Sequence, residues 1–233
     1  MGDTSGEGTE DEQPAHKVTL STFSIAKTET TVAQYKIYLK ARGKQIPPAY
    51  DQIDDRYPVT MISRKDADDY CDWLSDHTGH IYRLPTEAQW EFAARGGNLS
   101  KGFRYSGAQT LDLVGWYNEN SKDQIHPVAQ KKANELGLFD MSGNLPELCR
   151  DQYRKYTQTP QINPSGTFIT SRYPLTHRGG SYARAKSEAR VSFRFDESRE
   201  KLNILDDLIN ELITVTKENL LKGQFGFRVV MVK

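Results

Sequence analysis

The sequence lacks an excess of charge of either sign and lacks a long hydrophobic run. Its 31 lysines and arginines balance 31 aspartates and glutamates, which removes the bulk electrostatic attraction that nucleic-acid and acidic-membrane binders use. No apolar stretch approaches the ~20 residues of a membrane-spanning helix, and the N-terminus lacks the pattern of a secretory signal peptide. We therefore expect no nucleic-acid partner and no transmembrane segment in this chain.

Cysteine is also scarce. Cys71 and Cys149 are the two in the chain, too few for a disulfide framework. Cys71 falls in an amphipathic helical pattern and Cys149 follows a turn-rich stretch, so both are predicted to be buried thiols rather than nucleophiles. The 233 residues are 36% hydrophobic, enough apolar material for one large domain or two small ones.

Local patterns predict short elements. The alternation in residues 17–25 indicates one or two half-buried strands. Three helices are predicted, each preceded by a hydroxyl-bearing N-cap residue and followed by a glycine. The N-caps are Thr31, Ser63 and Thr86, and the glycines are Gly43, Gly79, and Gly96 or Gly97. The polar, acidic residues 2–14 are expected to be loosely held, and the turn-rich residues 98–134 to form short strands and ordered loops.

Residues 137–149 combine turn formers with apolar residues. Asp140, Asn144 and Glu147 place three side-chain oxygen donors close together on a bent chain, a set that calcium can use. The spacing is not that of an EF-hand loop. Two interpretations stay open at this point: a calcium-binding bend, or a tight turn with solvated acids.

Four motifs occur in an order that resembles the formylglycine-generating enzymes, also called sulfatase-modifying factors. They are Arg83-Leu-Pro-Thr-Glu-Ala-Gln-Trp-Glu-Phe-Ala-Ala-Arg-Gly-Gly97, Gly137-Leu-Phe-Asp-Met-Ser-Gly-Asn144, Arg178-Gly-Gly-Ser-Tyr182 and Gly226-Phe-Arg-Val229. The opening pattern is matched by His16, Phe23, Glu29, Thr30 and Tyr35. The resemblance implies one α+β domain over residues 1–233, a variant of the C-type-lectin fold with short helices, short strands and long ordered loops.

The resemblance also implies a site, from which this chain departs. The family's oxidases bind copper through two cysteines after the Arg-Gly-Gly-Ser motif, and motif spacing places Arg184 and Ala189 at those positions. A guanidinium or a methyl group cannot replace a soft thiolate ligand of copper(I). We therefore expect neither bound copper nor cysteine oxidation.

A calcium ion is the second implication. The family's ligands match the side chains of Asp140 and Glu147 and the carbonyl groups of Gly143 and Leu145, all of which supply oxygen here. The aromatic residues that usually flank the glutamate are replaced by Pro146 and Leu148. One Ca²⁺ ion is therefore predicted at this bend.

A basic segment follows the Arg-Gly-Gly-Ser motif and could form a groove for an anion or a carboxylate-bearing partner. The predicted groove consists of Arg178, Ser181, Tyr182, Arg184, Lys186, Arg190 and Arg194. The alternative is a solvated face with ion pairs to Glu188 and Asp196.

An insertion relative to the family, at about residues 198–222, has the periodicity of an amphipathic helix. Its apolar stripe is Leu202, Leu205, Leu208, Ile209, Leu212 and Ile213. The stripe either packs on this domain or serves self-assembly or docking of a protein partner.

These patterns favour a non-catalytic binding or scaffold domain over an enzyme. Relatives of that kind include bacterial envelope components of secretion and gliding assemblies and ligand-binding receptors. An envelope or extracellular location is expected if the chain is a fragment of a longer precursor, as its Met-Gly start, similar to the start of the family's domain, suggests. The alternative is a formylglycine-type cysteine oxidase, or an iron-dependent relative of the sulfoxide synthases or pyoverdine-maturation proteins. The chain lacks a histidine-carboxylate iron motif, which counts against the iron enzyme.

Overall fold

The computed structural model of the protein describes residues 1–165, 175–196 and 217–232. In these residues the helices are α1 (Val32–Ala41), α2 (Arg64–Thr78), α3 (Glu87–Ala94) and α4 (Lys217–Leu221). The strands are β1 (Val18–Thr19), β2 (Phe23–Ile25), β3 (Ile81–Arg83), β4 (Glu147–Gln152), β5 (Gln161–Ile162), β6 (Leu175–Arg178), β7 (Phe195–Asp196) and β8 (Val230–Val232). Short 3₁₀ helices and long ordered loops connect them, which confirms the predicted α+β class. No helix in the described ranges is both long and apolar enough to cross a membrane.

Three small sheets organise the chain. β8 pairs antiparallel with β2 and β3, so this strand near the C-terminus lies between two strands from the first 83 residues. β4, β6 and β7 form a second antiparallel sheet, while β1 and β5 form a short parallel pair. In the second sheet Glu147 lies opposite Arg178, and Leu148 lies opposite His177. This register brings the bend motif and the Arg-Gly-Gly-Ser motif together.

The predicted helix ends are confirmed. Capping boxes formed by the N-caps Thr31, Ser63 and Thr86 begin α1, α2 and α3. In α1, for example, the Thr31 hydroxyl accepts from the Gln34 amide while the Gln34 side chain accepts from the Thr31 amide at 2.9 Å. Gly79 ends α2 with φ of 74°, the left-handed conformation that glycine adopts at low cost.

The largest core cluster is aromatic. Tyr35 and Tyr38 of α1 pack on Tyr70 and Trp73 of α2, with ring centroids 5.2–5.9 Å apart. Leu220 of α4 is fully buried in the same cluster, so the last turn of the predicted inserted helix packs on the core. The stripe residues Leu202, Leu205, Leu208, Ile209, Leu212 and Ile213 lie outside the described residues.

The expectation that residues 2–14 are loosely held was wrong. The Asp3 carboxylate accepts hydrogen bonds from the backbone amides of Ser5, Gly6 and Gly8 at 2.8–3.0 Å. Glu12 is fully buried and receives two bonds of 2.7 Å from the Arg190 guanidinium. Composition misled the prediction because it cannot reveal that Asp3 caps local amides or that Glu12 pairs with a cation far along the chain.

The strands expected in residues 98–134 do not form. This segment contains a 3₁₀ helix at Leu111–Leu113, turns, and one isolated bridge between Tyr105 and Ala108. Its backbone instead bonds to distant loops: the Asn118 amide donates to the Arg184 carbonyl and the Val128 amide to the Arg56 carbonyl. The ordered loops that were predicted are present, without sheet pairing.

Candidate functional site

A cavity of about 220 Å³ lies beside the Arg178-Gly-Gly-Ser-Tyr182 segment. Aromatic rings form much of its wall, cations lie at its rim, and buried polar groups line its floor. The rings are Tyr182, Phe193, Phe195 and Phe225; the rim cations are Arg184 and Lys222; the floor groups are His177 and Arg178. The cavity therefore joins β6, β7 and the loop after α4.

The glycines of the motif shape this wall. After β6 the chain turns through Gly179 and Gly180, with φ of 102° and 72°. A Cβ on Gly180 would lie 2.7 Å from the Glu188 carbonyl oxygen, too close for any other residue without a backbone shift. This close approach carries the chain along the wall, so that residues from Ser181 to Arg184 face the cavity.

Each of the two rim cations has an acidic side chain within 4 Å. The Arg184 Nη1 atom lies 3.8 Å from Glu188, and its guanidinium sits 5.3 Å from the centre of the Phe195 ring. The Lys222 Nζ atom lies 3.2 Å from Asp123, whose side chain is 72% exposed. Both pairs are in contact with solvent, where an ion pair contributes little stability.

His177 on the floor is 2% exposed. Its ring stacks on Phe225 with centroids 5.2 Å apart. Burial, with a smaller contribution from the nearby Arg64 charge, lowers the pKa of His177 to about 4, so the imidazole is neutral at pH 7. Its Nε2 atom is buried and has no hydrogen-bond partner, which is costly unless a ligand or water meets it.

The arginines of the predicted groove do not all reach this cavity. Arg190 and Arg194 are interior residues: Arg190 pairs with Glu12, and Arg194 binds Glu87 at 2.5 and 2.8 Å. This corrects their assignment to a ligand groove, because each buried guanidinium already has a buried carboxylate that neutralises it.

Of the remaining groove residues, Lys186 is exposed and lies away from the cavity wall. Arg178 lines the floor, but its Nη atoms bind Glu91 and the carbonyl groups of Ser192 and Phe193. Arg184 thus faces the cavity together with Ser181 and Tyr182, while the buried Arg178, Arg190 and Arg194 bind interior carboxylates.

The two residues that motif spacing assigns to the family's cysteine positions lie in different surroundings. Arg184 is on the cavity wall, whereas Ala189 is 1% exposed and packs among Tyr105, Val114 and other apolar residues. Cys71 and Cys149 belong to two other hydrophobic clusters, and burial raises the pKa of both thiols. Neither cysteine lines the cavity.

A cluster of buried charged side chains lies beneath the bend at residues 137–149. Both Glu147 carboxylate oxygens bind the Arg228 guanidinium at 2.6 Å, and the Trp90 indole donates to one of them at 2.9 Å. Glu29 accepts from the Asn144 side chain at 2.9 and 3.3 Å and from a backbone amide. The motif patterns named Glu29 and the Gly226–Val229 segment but assigned no role to Glu29 or Arg228. For Arg228 the available signal was a charge inside an apolar segment.

Negative charge exceeds positive charge in this buried group. Burial and the neighbouring Asp140 and Glu147 raise the pKa of Glu29 well above its usual value. Burial also raises the pKa of Asp140 to about 6, against the lowering effect of the Ala129 amide bond and Arg228. The three carboxylates face one guanidinium, so protons or a cation must offset part of their charge.

A bound calcium ion would offset this negative charge, but the predicted ligands are only partly available to it. One Asp140 oxygen is buried without a hydrogen-bond partner, as a metal ligand would be. Glu147, however, is fully engaged by Arg228 and Trp90, so the four donors do not fit Ca²⁺ in this side-chain arrangement. In the part of the chain that the structure describes, no group of three or more His, Cys, Asp or Glu side chains is placed to hold a metal ion. The calcium ion stays a prediction.

The fold and the motif positions together define a domain of the formylglycine-generating-enzyme type. Residues 1–204 match the family model of the sulfatase-modifying factor enzyme 1-like domain, and the chain belongs to that family.

Related sequences include active and inactive proteins. The chain is 32% identical over 202 residues to the chaperone protein LppX of Paenibacillus barcinonensis, covering 66% of this chain and 72% of LppX. It is 29% identical over 245 aligned residues to the formylglycine-generating enzyme of Streptomyces coelicolor, covering 78% and 75% of the two chains. It is 30% identical over 156 residues to the bovine inactive C-alpha-formylglycine-generating enzyme 2, covering 63% of this chain and 48% of that one.

Solved structures share the fold at lower identity. Variable protein 1 of Treponema denticola superimposes with a TM-score of 0.74 at 23% identity, covering 99% of this chain and 90% of that chain. PvdO of Pseudomonas aeruginosa gives a TM-score of 0.73 at 23% identity, covering 100% and 90%. These likenesses establish the fold alone.

Proposed function

We propose that this protein is a non-catalytic binding domain whose ligand occupies the cavity beside Arg184. The observation that supports this proposal most directly is the identity of the residues at the two positions that motif spacing assigns to the oxidases' cysteines. Arg184 lies on the cavity wall, and Ala189 lies in the hydrophobic interior. A guanidinium stays protonated and offers hydrogen-bond donors, so it suits binding of an acceptor rather than ligation of copper(I).

Two relatives agree with this proposal. The bovine relative is described as inactive, so the family includes members without the oxidase reaction. LppX is named a chaperone, and a chaperone acts by binding protein. A domain that binds without catalysis could serve as a scaffold in a bacterial envelope or secretion assembly. It could equally serve as a ligand-binding receptor.

The test is an oxidation assay. The protein is incubated with copper(I), oxygen and a peptide containing the Cys-x-Pro-x-Arg pattern, and the peptide is analysed by mass spectrometry. We expect no formylglycine, while the Streptomyces coelicolor enzyme assayed in parallel converts the peptide. Conversion over several turnovers by this protein would refute the non-catalytic proposal. A parallel arm replaces copper with iron(II) and follows oxygen consumption, since turnover there would indicate the alternative, an iron-dependent enzyme.

A further inference from the structure

A second cavity, of about 300 Å³, lies where β3, α3 and β4 meet the loops that follow β1 and β5. It shares no lining residue with the cavity beside Arg184. Among the described residues its lining contains no carboxylate. It does contain cations and uncharged polar side chains, among them Arg83, Arg150, Ser21, Thr22, Gln89 and Asn163.

Arg83, at the end of β3, has one edge of its guanidinium available to a ligand. Its Nη1 atom donates to the Leu84 carbonyl at 2.8 Å and to the Gln89 side-chain oxygen at 2.9 Å. Within the described residues Arg83 forms no ion pair, and its Nε and Nη2 atoms have no hydrogen-bond partner and are not enclosed in the interior. Nε and Nη2 form an edge through which a guanidinium can bind one oxyanion by two parallel hydrogen bonds.

The charges around Arg83 favour an anion at this edge. Burial, and then the charge of Arg150, lower the pKa of Arg83 below its usual range, against the opposite effect of Asp151. The Asp151 carboxylate does not line the cavity; it is 7% exposed and accepts a hydrogen bond from the Glu87 amide at the start of α3. Arg83 stays protonated at pH 7, so an anion would offset both its desolvation and the repulsion from Arg150.

The uncharged polar wall is held in place by its own hydrogen bonds. Asn163 accepts from the Ser21 amide at 2.7 Å and donates to the Ser21 hydroxyl oxygen at 2.8 Å. Since Ser21 Oγ is an acceptor in this pair, its hydroxyl hydrogen can still be donated to a ligand. Thr22 beside it is exposed and adds a second hydroxyl group.

We propose that the second cavity binds a phosphate or sulfate group, either as the free ion or as a monoester of a small polar molecule. The oxyanion meets Nε and Nη2 of Arg83, and the hydroxyl groups of Ser21 and Thr22 donate to its other oxygens. A phosphate or sulfate group presents acceptor oxygens in several directions, whereas a carboxylate presents its oxygens in one plane. The volume is at the lower end of the ~300–1,000 Å³ of ligand pockets, which leaves room for a small body attached to the anion.

The probes separate the two sources of this group. Inorganic phosphate and sulfate represent the free ion, glucose 6-phosphate represents the monoester, and glucose lacks the anion. Acetate tests whether any small anion is sufficient. Each probe is titrated into the protein by calorimetry at constant ionic strength, because salt screens exposed charges.

Arg83→Gln should weaken binding of the phosphate and sulfate probes by about tenfold or more, since hydrogen bonds to a charged group are lost. Lys17→Gln is the matched control: it removes the same charge from an exposed residue that does not line the cavity, and it should leave binding unchanged. Thr22→Glu should also weaken binding by about tenfold or more, because it places a negative charge at the site. Thr22→Gln, of the same size but neutral, should bind more tightly than Thr22→Glu.

Saturable binding of a phosphate or sulfate probe that both Arg83→Gln and Thr22→Glu weaken supports the inference. Tighter binding of glucose 6-phosphate than of inorganic phosphate then identifies a monoester, and equal binding identifies the ion. No binding of these probes to the folded protein, equally tight binding of acetate, or equal binding by Thr22→Glu and Thr22→Gln overturns it. Melting curves show which variants are folded, and the Thr22 pair keeps the test decisive if Arg83→Gln does not fold.

This inference goes beyond the proposed function, because it concerns a separate cavity. The two can fail independently. Formylglycine production in the oxidation assay would refute the non-catalytic role and leave the second cavity untouched. Failure of the phosphate and sulfate probes to bind would overturn the second site and leave the non-catalytic role intact.

Discussion

Replacement of Glu12 by alanine should destabilise the whole domain, although Glu12 lies in a polar N-terminal segment. Glu12 is fully buried and both its oxygens bind Arg190 at 2.7 Å. The substitution would leave the Arg190 guanidinium, which is 5% exposed, without its charge partner. Breaking a buried pair in this way typically costs ~3–5 kcal/mol, because the remaining charge stays desolvated.

Two further variants test whether the loss of ~3–5 kcal/mol comes from the broken ion pair. Glu10→Ala changes an exposed acid of the same short 3₁₀ helix and should alter the free energy of unfolding by less than about 0.5 kcal/mol. In Glu12→Leu with Arg190→Leu both charges are removed, so the double variant should be less destabilised than Glu12→Ala alone. Part of the loss should remain, since Arg190 also donates to the Ser187 carbonyl at 2.9 Å.

The assay is urea unfolding followed by circular dichroism, with the slope of the transition checked for two-state behaviour. A loss of ~3–5 kcal/mol corresponds to a melting temperature lower by about 10 °C for a chain of this size. If Glu12→Ala and Glu10→Ala were equally stable, the buried ion pair would have no energetic role. The N-terminal segment would then be as loosely held as its composition suggested.

Acid should weaken the same contact. Burial acts to raise the pKa of Glu12, but the hydrogen bonds from Arg190, Ser192 and the Thr9 amide outweigh it, so the pKa is lower than the usual 4.5. A lowered carboxyl pKa stabilises the folded state above the unfolded-state pKa, and this stability is lost as the pH falls through the folded-state value. The stability difference between the unmodified protein and Glu12→Gln should therefore shrink as the pH falls below about 4.

Three further results are expected. Gly143→Ala should lower the free energy of unfolding by about 3 kcal/mol or more, because φ is +88° and the new Cβ would lie 2.2 Å from the Trp116 carbonyl oxygen. Its control is Gly137→Ala, where φ is +75° but the surrounding space is open; this variant should lose about 1 kcal/mol in the same urea titration. If Glu147 turns from Arg228 and the predicted calcium ion binds at the bend, the ion should raise the unfolding free energy by about 2.7 kcal/mol at a hundredfold excess over Kd, and Asp140→Asn should remove this effect. Equal melting temperatures in chelator and in calcium would rule the ion out. If the apolar stripe serves assembly, Leu205→Asp with Leu212→Asp should leave the protein folded and abolish association in sedimentation, whereas unfolding would indicate that the stripe belongs to the core.

Helix boundaries were predictable from the sequence because their causes are local. In each capping box the N-cap and the residue three positions later satisfy each other's backbone amides. A glycine such as Gly79 ends a helix through its own permitted φ. The absence of cysteine from residues 183–192 was also readable directly, since residue identity alone decides whether a thiolate can exist there.

The roles of the charged residues were decided by the tertiary structure. Arg184, Arg190 and Arg194 have the same side chain and lie within eleven residues of one another, yet Arg184 faces the cavity while the other two are buried. Their partners Glu12 and Glu87 are 178 and 107 residues away. No local pattern encodes which cation will meet a carboxylate at that separation. The choice depends on β4–β6 pairing and on how the N-terminal segment packs, because desolvation makes a buried charge acceptable only where its partner is already in place.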